Sequence, residues 1–231
     1  MISPALLSSA MEHWLTPPDF SDLVVEVHGH IDLDPGTNRG SLVPANSNAY
    51  VGEIDGLSIP WLGNVFVNPV YGTEIGLWIE RMVERGGRMR CCQLIALLPA
   101  RVDTEWCEKV MDSADAWCFW RGRITFWRVW SPAAELESVT AKERRSRAAI
   151  IGILESMRDG SLPDGFRIND NGLIVGPELN RKTGQPQPAP FPSVVPYWGE
   201  DIAKFVRTFR RKGSVTVRRG DLRGVFKRRA A

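Results

Sequence analysis

The sequence predicts an α/β fold: a sheet covered by helices on both faces. Three observations predict it. Short apolar runs end in turn residues, helix-spaced stretches lie between them, and the composition is that of a globular chain, 24 % charged and 43 % hydrophobic. Disordered, collagen-like and coiled-coil chains are excluded. With 231 residues the chain can bury a sizeable core, so one large domain is expected rather than two small ones.

The elements follow in order. Asp19–Val27 has helical spacing. His30–Asp34 reads as a strand stopped by Pro35-Gly36, and Asn64–Val67 as a strand stopped by Asn68-Pro69. Glu74–Glu84 is predicted helical because Ile75, Trp78, Ile79 and Met82 fall on one face. Cys92–Leu98 is a strand ended by Pro99, and Thr104–Ser113 a helix. Ala116–Phe119 and Ile124–Trp127 flank Arg121-Gly122-Arg123, which reads as the turn of a strand pair. Ser193–Trp198 is the last strand and Asp201–Arg211 the last helix. The rhythm breaks between Val129 and Asn180, where a charged, helix-prone stretch (Glu135–Met157) precedes Asp164–Pro177, rich in Gly, Asn and Asp. Thr183–Pro192 is proline-rich and predicts a stiff, extended connector. The reading is a main domain of residues 1–128 and 181–231, with 129–180 as an insertion acting as a target-recognition or lid subdomain.

The net charge is only +2, but it is uneven: from Glu200 onward eleven Lys/Arg face three Asp/Glu. A basic segment on a mildly acidic body points to an anionic partner, with nucleic acid leading. No apolar run is long enough to span a membrane, and Met1–Ala10 lacks the basic residues of a signal peptide, so a soluble, cytoplasmic protein is expected. Cys91, Cys92, Cys107 and Cys118 form no CxxC pair and read mostly as small buried hydrophobes. The histidines (His13, His28, His30) lack the spacing of a zinc site, so no metal is expected. Absence of Gly-x-Ser-x-Gly and of a P-loop leaves hydrolase and NTP-dependent readings without support.

In a doubly covered sheet ligands sit at the carboxyl ends of the strands, which directs attention to the residues after each run. Asn68-Pro69-Val70-Tyr71 stands in such a place. It reads either as an ordinary Asn-Pro turn or as a polar acceptor, a rigid carbonyl and an aromatic face, a set suited to a planar amine-bearing ring. Asp32 and Asp34, before Pro35-Gly36, suit a helix cap, a metal or a cofactor's hydroxyls and ammonium; Gly36 and Gly40 are weak substitutes for a complete Gly-x-Gly-x-x-Gly. Thr16-Pro17 makes a good helix start, with Thr16 as N-cap and Pro17 in the first turn, and helix starts also bind carboxylates. Asp55, before Gly56-Leu57, is a turn residue or a cofactor contact. Arg101, after Pro99, and Arg121 and Arg123, among tryptophans, suit nucleic-acid contacts or exposed turns. Lys142–Arg147, Arg218, Arg219 and the other tail cations read as phosphate contacts or a solvated face.

Taken in order, several pieces resemble a family. They are Trp14-Leu15-Thr16-Pro17, Ile31-Asp32-Leu33-Asp34-Pro35, Asp55-Gly56-Leu57 with Trp61, and Val65–Tyr71. Leu97-Leu98-Pro99-Ala100 with Asp103–Trp106, Gly122–Phe126 and Ala189–Ser193 complete the series. The chain resembles the phage-type DNA N-6-adenine methyltransferases over about residues 13–127 and 180–200. The resemblance implies an S-adenosylmethionine-dependent methyltransferase-like (Rossmann-like) fold with a mixed seven-stranded sheet, working in the bacterial host cytoplasm. It implies that Asn68, Pro69 and Tyr71 act on a flipped-out adenine of double-stranded DNA. It also implies that Thr16, Pro17, Asp32, Asp34, Pro35 and Asp55 hold S-adenosylmethionine. Val70 stands where the family motif usually has a second proline, which removes rigidity but none of the hydrogen-bonding atoms. The alternative is a degenerate relative that binds cofactor or DNA without turnover, or a phage nucleic-acid-binding protein relying on its basic tail.

Overall fold

The computed structural model describes residues 14–88 and 92–218. In chain order these form α1 (Pro18–His28), β1 (Ile31–Thr37), β2 (Ala45–Tyr50), β3 (Gly63–Val67), and α2 (Ile75–Met82) continued by a π-helical turn (Val83–Arg88). Next come β4 (Cys92–Ala96), β5 (Leu98–Pro99), α3 (Glu105–Ser113), β6 (Ala116–Trp120) and β7 (Trp127–Trp130). They are followed by α4 (Pro132–Glu137), α5 (Ala141–Ser146), α6 (Ala148–Arg158), β8 (Arg167–Ile168) and β9 (Ile174–Pro177). The chain closes with β10 (Ser193–Trp198), α7 (Ile202–Phe209) and β11 (Gly213–Val217).

The central sheet runs β2-β1-β3-β4-β10-β6-β11, with β5 paired to β10, eight strands in all. The neighbours β2, β1, β3 and β4 are parallel. β10 is antiparallel to both β4 and β6, so β6 points the same way as β4, and β11 runs back along β6. This is an α/β protein with a mixed, largely parallel sheet, compatible with a Rossmann-like fold.

Period-two alternation explains why both faces are covered. Phe66, Ile95, Leu97, Val195 and Tyr197 point into one core with Phe20, Leu23, Val24 and Val27 of α1 and Phe205 and Phe209 of α7. Their neighbours Val65, Val67, Leu94, Ala96, Val194 and Trp198 point into the other, against Trp78, Ile79 and Met82 of α2 and Val110 of α3. Each Val, Leu, Ile, Phe or Met among them contributes about 1.5–3 kcal/mol on full burial. The Gly29 N–H makes the last helical bond of α1, to the Val25 carbonyl at 2.7 Å, and the helix ends there because Gly29 adopts φ +86°, which turns the chain away.

The expected strands and helices recur with end shifts of a few residues, and four differences have physical causes. Helix α1 starts at Pro18, so Pro17 rather than Thr16 is its N-cap, and the Thr16 hydroxyl is used elsewhere. Ile124–Trp127 is not the second strand of a hairpin, because β6 is already paired on both sides by β10 and β11. The segment instead leaves the sheet, and β7 begins only at Trp127. β2 and β11 were not expected. β2 is an edge strand of Asn, Ser and Ala with only Ala49 fully buried, and β11 hides a Val-Thr-Val alternation inside the basic tail. Starting at Trp127, two residues before the expected insertion 129–180, β7, β9 and β8 form a separate three-stranded sheet, and Trp130, Ile150, Leu154, Met157 and Leu179 share a small core of their own. Among the described residues no helix is long and apolar enough to cross a membrane.

Candidate active site

The carboxyl ends of β1, β3, β4 and β6 lie along one edge of the sheet, where several of the quoted motifs meet. The segment Trp14–Pro17 is held there by a two-way bridge, Leu15 N–H to the Trp127 carbonyl (2.8 Å) and Trp127 N–H to the Leu15 carbonyl (3.0 Å). The Trp14 ring stacks on Phe126 at 4.9 Å and meets Phe191 at 5.4 Å. Thr16 thereby comes to the end of β3, where the Asn68 side-chain amide and the Thr16 hydroxyl are 3.2 Å apart across 52 residues of sequence.

The Tyr71 hydroxyl lies 2.8 Å from the Asn68 side-chain oxygen and 2.8 Å from the Leu97 carbonyl. A phenol has one proton to give, so it cannot serve both acceptors. Turning the Asn68 amide over satisfies every group: amide N–H to Tyr71, Tyr71 O–H to Leu97, and Thr16 O–H to the amide oxygen. In either orientation Asn68 is braced on two sides, and its oxygen keeps a lone pair. Tyr71 is only 3 % exposed, with Phe126 and Phe191 against it edge-on at 6.4 and 5.7 Å. Burial pushes its hydroxyl well above the ordinary phenol range, so it stays protonated.

Next to Asn68 the end of β1 passes close by: a Cβ on Gly36 would lie 3.4 Å from the Asn68 backbone oxygen and 3.5 Å from Pro69 Cα. Beyond β1 a groove of about 360 Å³ opens between Pro35, the loop Val51–Leu57, Val70, Glu74 and Trp78. Gly56 is required at its floor, because a Cβ there would overlap the Pro35 carbonyl oxygen; the Gly56 carbonyl accepts from the buried Trp61 indole at 2.8 Å. All ionisable side chains among these lining residues are acidic: Glu53, Asp55 and Glu74. Asp55 is exposed, and its carboxylate accepts from Leu57 N–H at 3.0 Å.

The structure separates the two aspartates that the sequence sets two apart. Asp34 is 3 % exposed and accepts from Gly36 N–H at 3.3 Å; burial pushes its carboxyl up to about 7. Asp32 stands at the strand junction, accepting from Asn64 N–H of β3 at 2.8 Å and from Asn46 of β2 at 3.3 Å, with His30 at 3.1 Å. These contacts, the Asn64 N–H first, hold its carboxyl below the ordinary range.

Arg101, Arg121 and Arg123 are all exposed at the carboxyl-end edge. Arg123 donates to the Ala189 carbonyl at 3.2 Å, and Gly122 turns between them at φ +76°. Arg218 stands at the opposite edge, its N–H on the Asp115 carbonyl at 3.0 Å beyond the amino end of β6. Arg219, the later tail cations, His13 and Cys91 lie outside the described residues. Cys107 and Cys118 are buried and unpaired with each other. Sequence reasoning missed Leu97, whose carbonyl completes the hydrogen-bonded chain through a backbone atom that no residue pattern marks. It also missed Glu53 and Glu74 on the groove; carboxylates flanking Asp55 and following Tyr71 were the available signal.

In comparison with known proteins, no family model, no curated protein and no solved structure matches the chain.

Proposed function

We propose that the chain is a DNA adenine N6-methyltransferase that uses S-adenosylmethionine. The observation that carries this reading is convergence. Thr16, Asn68, Tyr71 and Leu97 come from three separate parts of the chain into one hydrogen-bonded chain at the carboxyl-end edge, beside a groove. Phe126 and Phe191, from two further motifs, pack on the same place together with Trp14. A mixed sheet of seven strands along its main path, with a reversed strand between two parallel ones, agrees with the fold the resemblance implies.

The groove fits the cofactor on two counts. Its volume of about 360 Å³ falls within the ~300–1,000 Å³ usual for small-molecule sites. Its lining joins apolar walls (Val51, Ile54, Trp78) to carboxylates with no lysine or arginine, which suits a ligand carrying a sulfonium and an ammonium. Asp55 and Glu74 would hold the polar groups, and Pro35, Val70 and Trp78 the apolar ones. When bound, S-adenosylmethionine supplies the electrophilic methyl group.

The protein's own part is positioning and electrostatics. The exocyclic amine of adenine is conjugated with its ring and is a poor nucleophile. The Asn68 side-chain oxygen and the Pro69 carbonyl accept its two hydrogens, drawing the nitrogen toward a tetrahedral shape and localising its lone pair. No residue titrating near neutrality is required. A base inside a duplex cannot reach this edge, so it must be flipped out at a cost of a few kcal/mol. Arg101, Arg121 and Arg123 stand where they would meet the phosphates around it.

A second reading has its own observation. Tyr71 is enclosed by Phe126 and Phe191, so it offers no open face on which a base can stack. That favours a relative that binds cofactor without turnover. Incubation with methyl-labelled S-adenosylmethionine and mixed-sequence DNA, followed by nucleoside analysis, separates the two. Labelled N6-methyladenine supports the enzyme; cofactor binding without any labelled nucleoside supports the second reading. Absence of cofactor binding removes both.

A further inference from the structure

The connection between β1 and β2 carries one residue that touches both the groove wall and the insertion. Its Gly40 lies directly under the three-stranded sheet, for a Cβ there would overlap Val129 of β7 and lie 3.0 Å from Leu15. The Arg39 carbonyl accepts two side-chain amides from the β8–β9 turn, Asn169 at 2.7 Å and Asn171 at 2.8 Å, across 130 and 132 residues of sequence. Asn169 is 8 % exposed and cannot turn over, because its oxygen accepts from Asn171 N–H (3.1 Å) and Leu173 N–H (3.0 Å). The side chain of Arg39 faces the other way. Its guanidinium grips Glu53 through two parallel bonds of 2.6 and 2.7 Å and lies 5.0 Å over the Tyr50 ring. Glu53 belongs to the wall of the 360 Å³ groove.

We infer that Arg39 is a positioning residue that couples the seating of the insertion to the wall of the ligand groove. A ligand that orders Val51–Leu57 thereby steadies the β8–β9 turn, and a partner bound across the insertion steadies the groove. Such coupling is reciprocal by linkage. Identifying the ligand as S-adenosylmethionine and the partner as DNA rests on the functional reading above; the coupling itself does not.

The test has one arm without ligand and one with it. Glu53→Gln keeps the side chain's size but removes the charged fork, and Asn171→Ala removes one amide from the Arg39 carbonyl; both residues are exposed, so both variants should melt with the wild type. Amide hydrogen exchange at Asn169, Asn171, Gly172 and Leu173 should quicken about threefold or more in ligand-free Glu53→Gln, with Arg39→Lys intermediate because lysine cannot make the fork. Unchanged exchange in that turn overturns the proposal. In the second arm S-adenosylmethionine is titrated with and without an adenine-containing duplex. The factor by which DNA changes cofactor affinity in the wild type should fall toward one in Asn171→Ala. A factor equal to the wild type's overturns the coupling. If the wild type binds no S-adenosylmethionine, the functional reading fails, and the exchange arm still decides the coupling.

Discussion

At the carboxyl ends of the parallel strands, Thr16, Asn68, Tyr71 and Leu97 share one chain of hydrogen bonds beside a groove of about 360 Å³. A second groove, of about 920 Å³, lies between α2 and α3 and runs from Leu57, which lines both spaces, to Arg218 at the amino ends. The larger space has the weaker claim to chemistry. Within it the largely buried Arg81 meets Glu84 at 3.0 Å and the Ile59 carbonyl at 2.8 Å, Lys109 meets Glu80 at 3.7 Å, and two adjacent helices supply most of the lining. The smaller one is bordered by residues drawn from distant segments, with glycines where the backbone must approach closely. Convergence of polar groups, rather than volume, distinguishes the two edges.

The sharpest way to break that comparison is Asn68→Ala. Loss of a positioned acceptor should lower methyl transfer ~10²-fold or more while cofactor affinity stays near that of the wild type. Turnover at the wild-type rate, measured with labelled cofactor, would remove Asn68 from the chemistry. Next in size is the joint change of Arg101, Arg121 and Arg123 to Ala. DNA affinity should fall uniformly across sequences, and the salt slope of log K should become shallower by nearly one unit per lost phosphate contact. An unchanged slope would take DNA away from this edge.

Asp34→Asn tests the burial of this carboxyl through pH. Asp34 titrates at about 7 when folded, against 3.8 as the ordinary value, so its neutral form stabilises the fold fully below pH 3.8. That contribution is lost as pH rises to about 7, at up to about 1.4 kcal/mol per pH unit. Asparagine does not ionise, so the variant's advantage over the wild type should grow between pH 4 and 7 and then level off. Denaturant melts at pH 4.5, 6 and 8 check this; a difference independent of pH would mean that Asp34 is charged in the fold. The smallest effect is expected at the other edge. Lys109→Ala and Arg218→Ala should change stability by no more than about 0.5 kcal/mol and leave transfer and the salt slope unaltered. A loss of transfer in either would make the amino-end groove a functional site.

Much of this was legible before any fold. The turn residues Asn68-Pro69 after an apolar run marked the end of β3, and the spacing of Ile75, Trp78, Ile79 and Met82 marked the inward face of α2. The motif at Asn68–Tyr71 was visible because its residue types are chemically unusual together. The strand expected at Ile124–Trp127 shows the limit. Its composition suits a strand, yet both sides of β6 are taken by β10 and β11, so no partner remains for it there. β2 shows the converse, a polar segment made into a strand by an open neighbour, β1.

What the sequence determined by itself is therefore the local alternation: which residues turn, which face a core, and which stand at strand ends. Those follow from backbone geometry and side-chain periodicity, and need no knowledge of neighbours. Only the tertiary structure decided that Asp34 is buried and Asp32 is held at a strand junction, although they are alike and two residues apart. It alone decided that Tyr71 is enclosed, that Arg218 stands at the far edge from Asn68, and that Arg39 joins the insertion to the groove wall. The reason is the same in each case. Burial, ionisation and hydrogen-bond partnership depend on groups brought from distant parts of the chain, and a linear pattern carries a residue's period but not the identity of what packs against it.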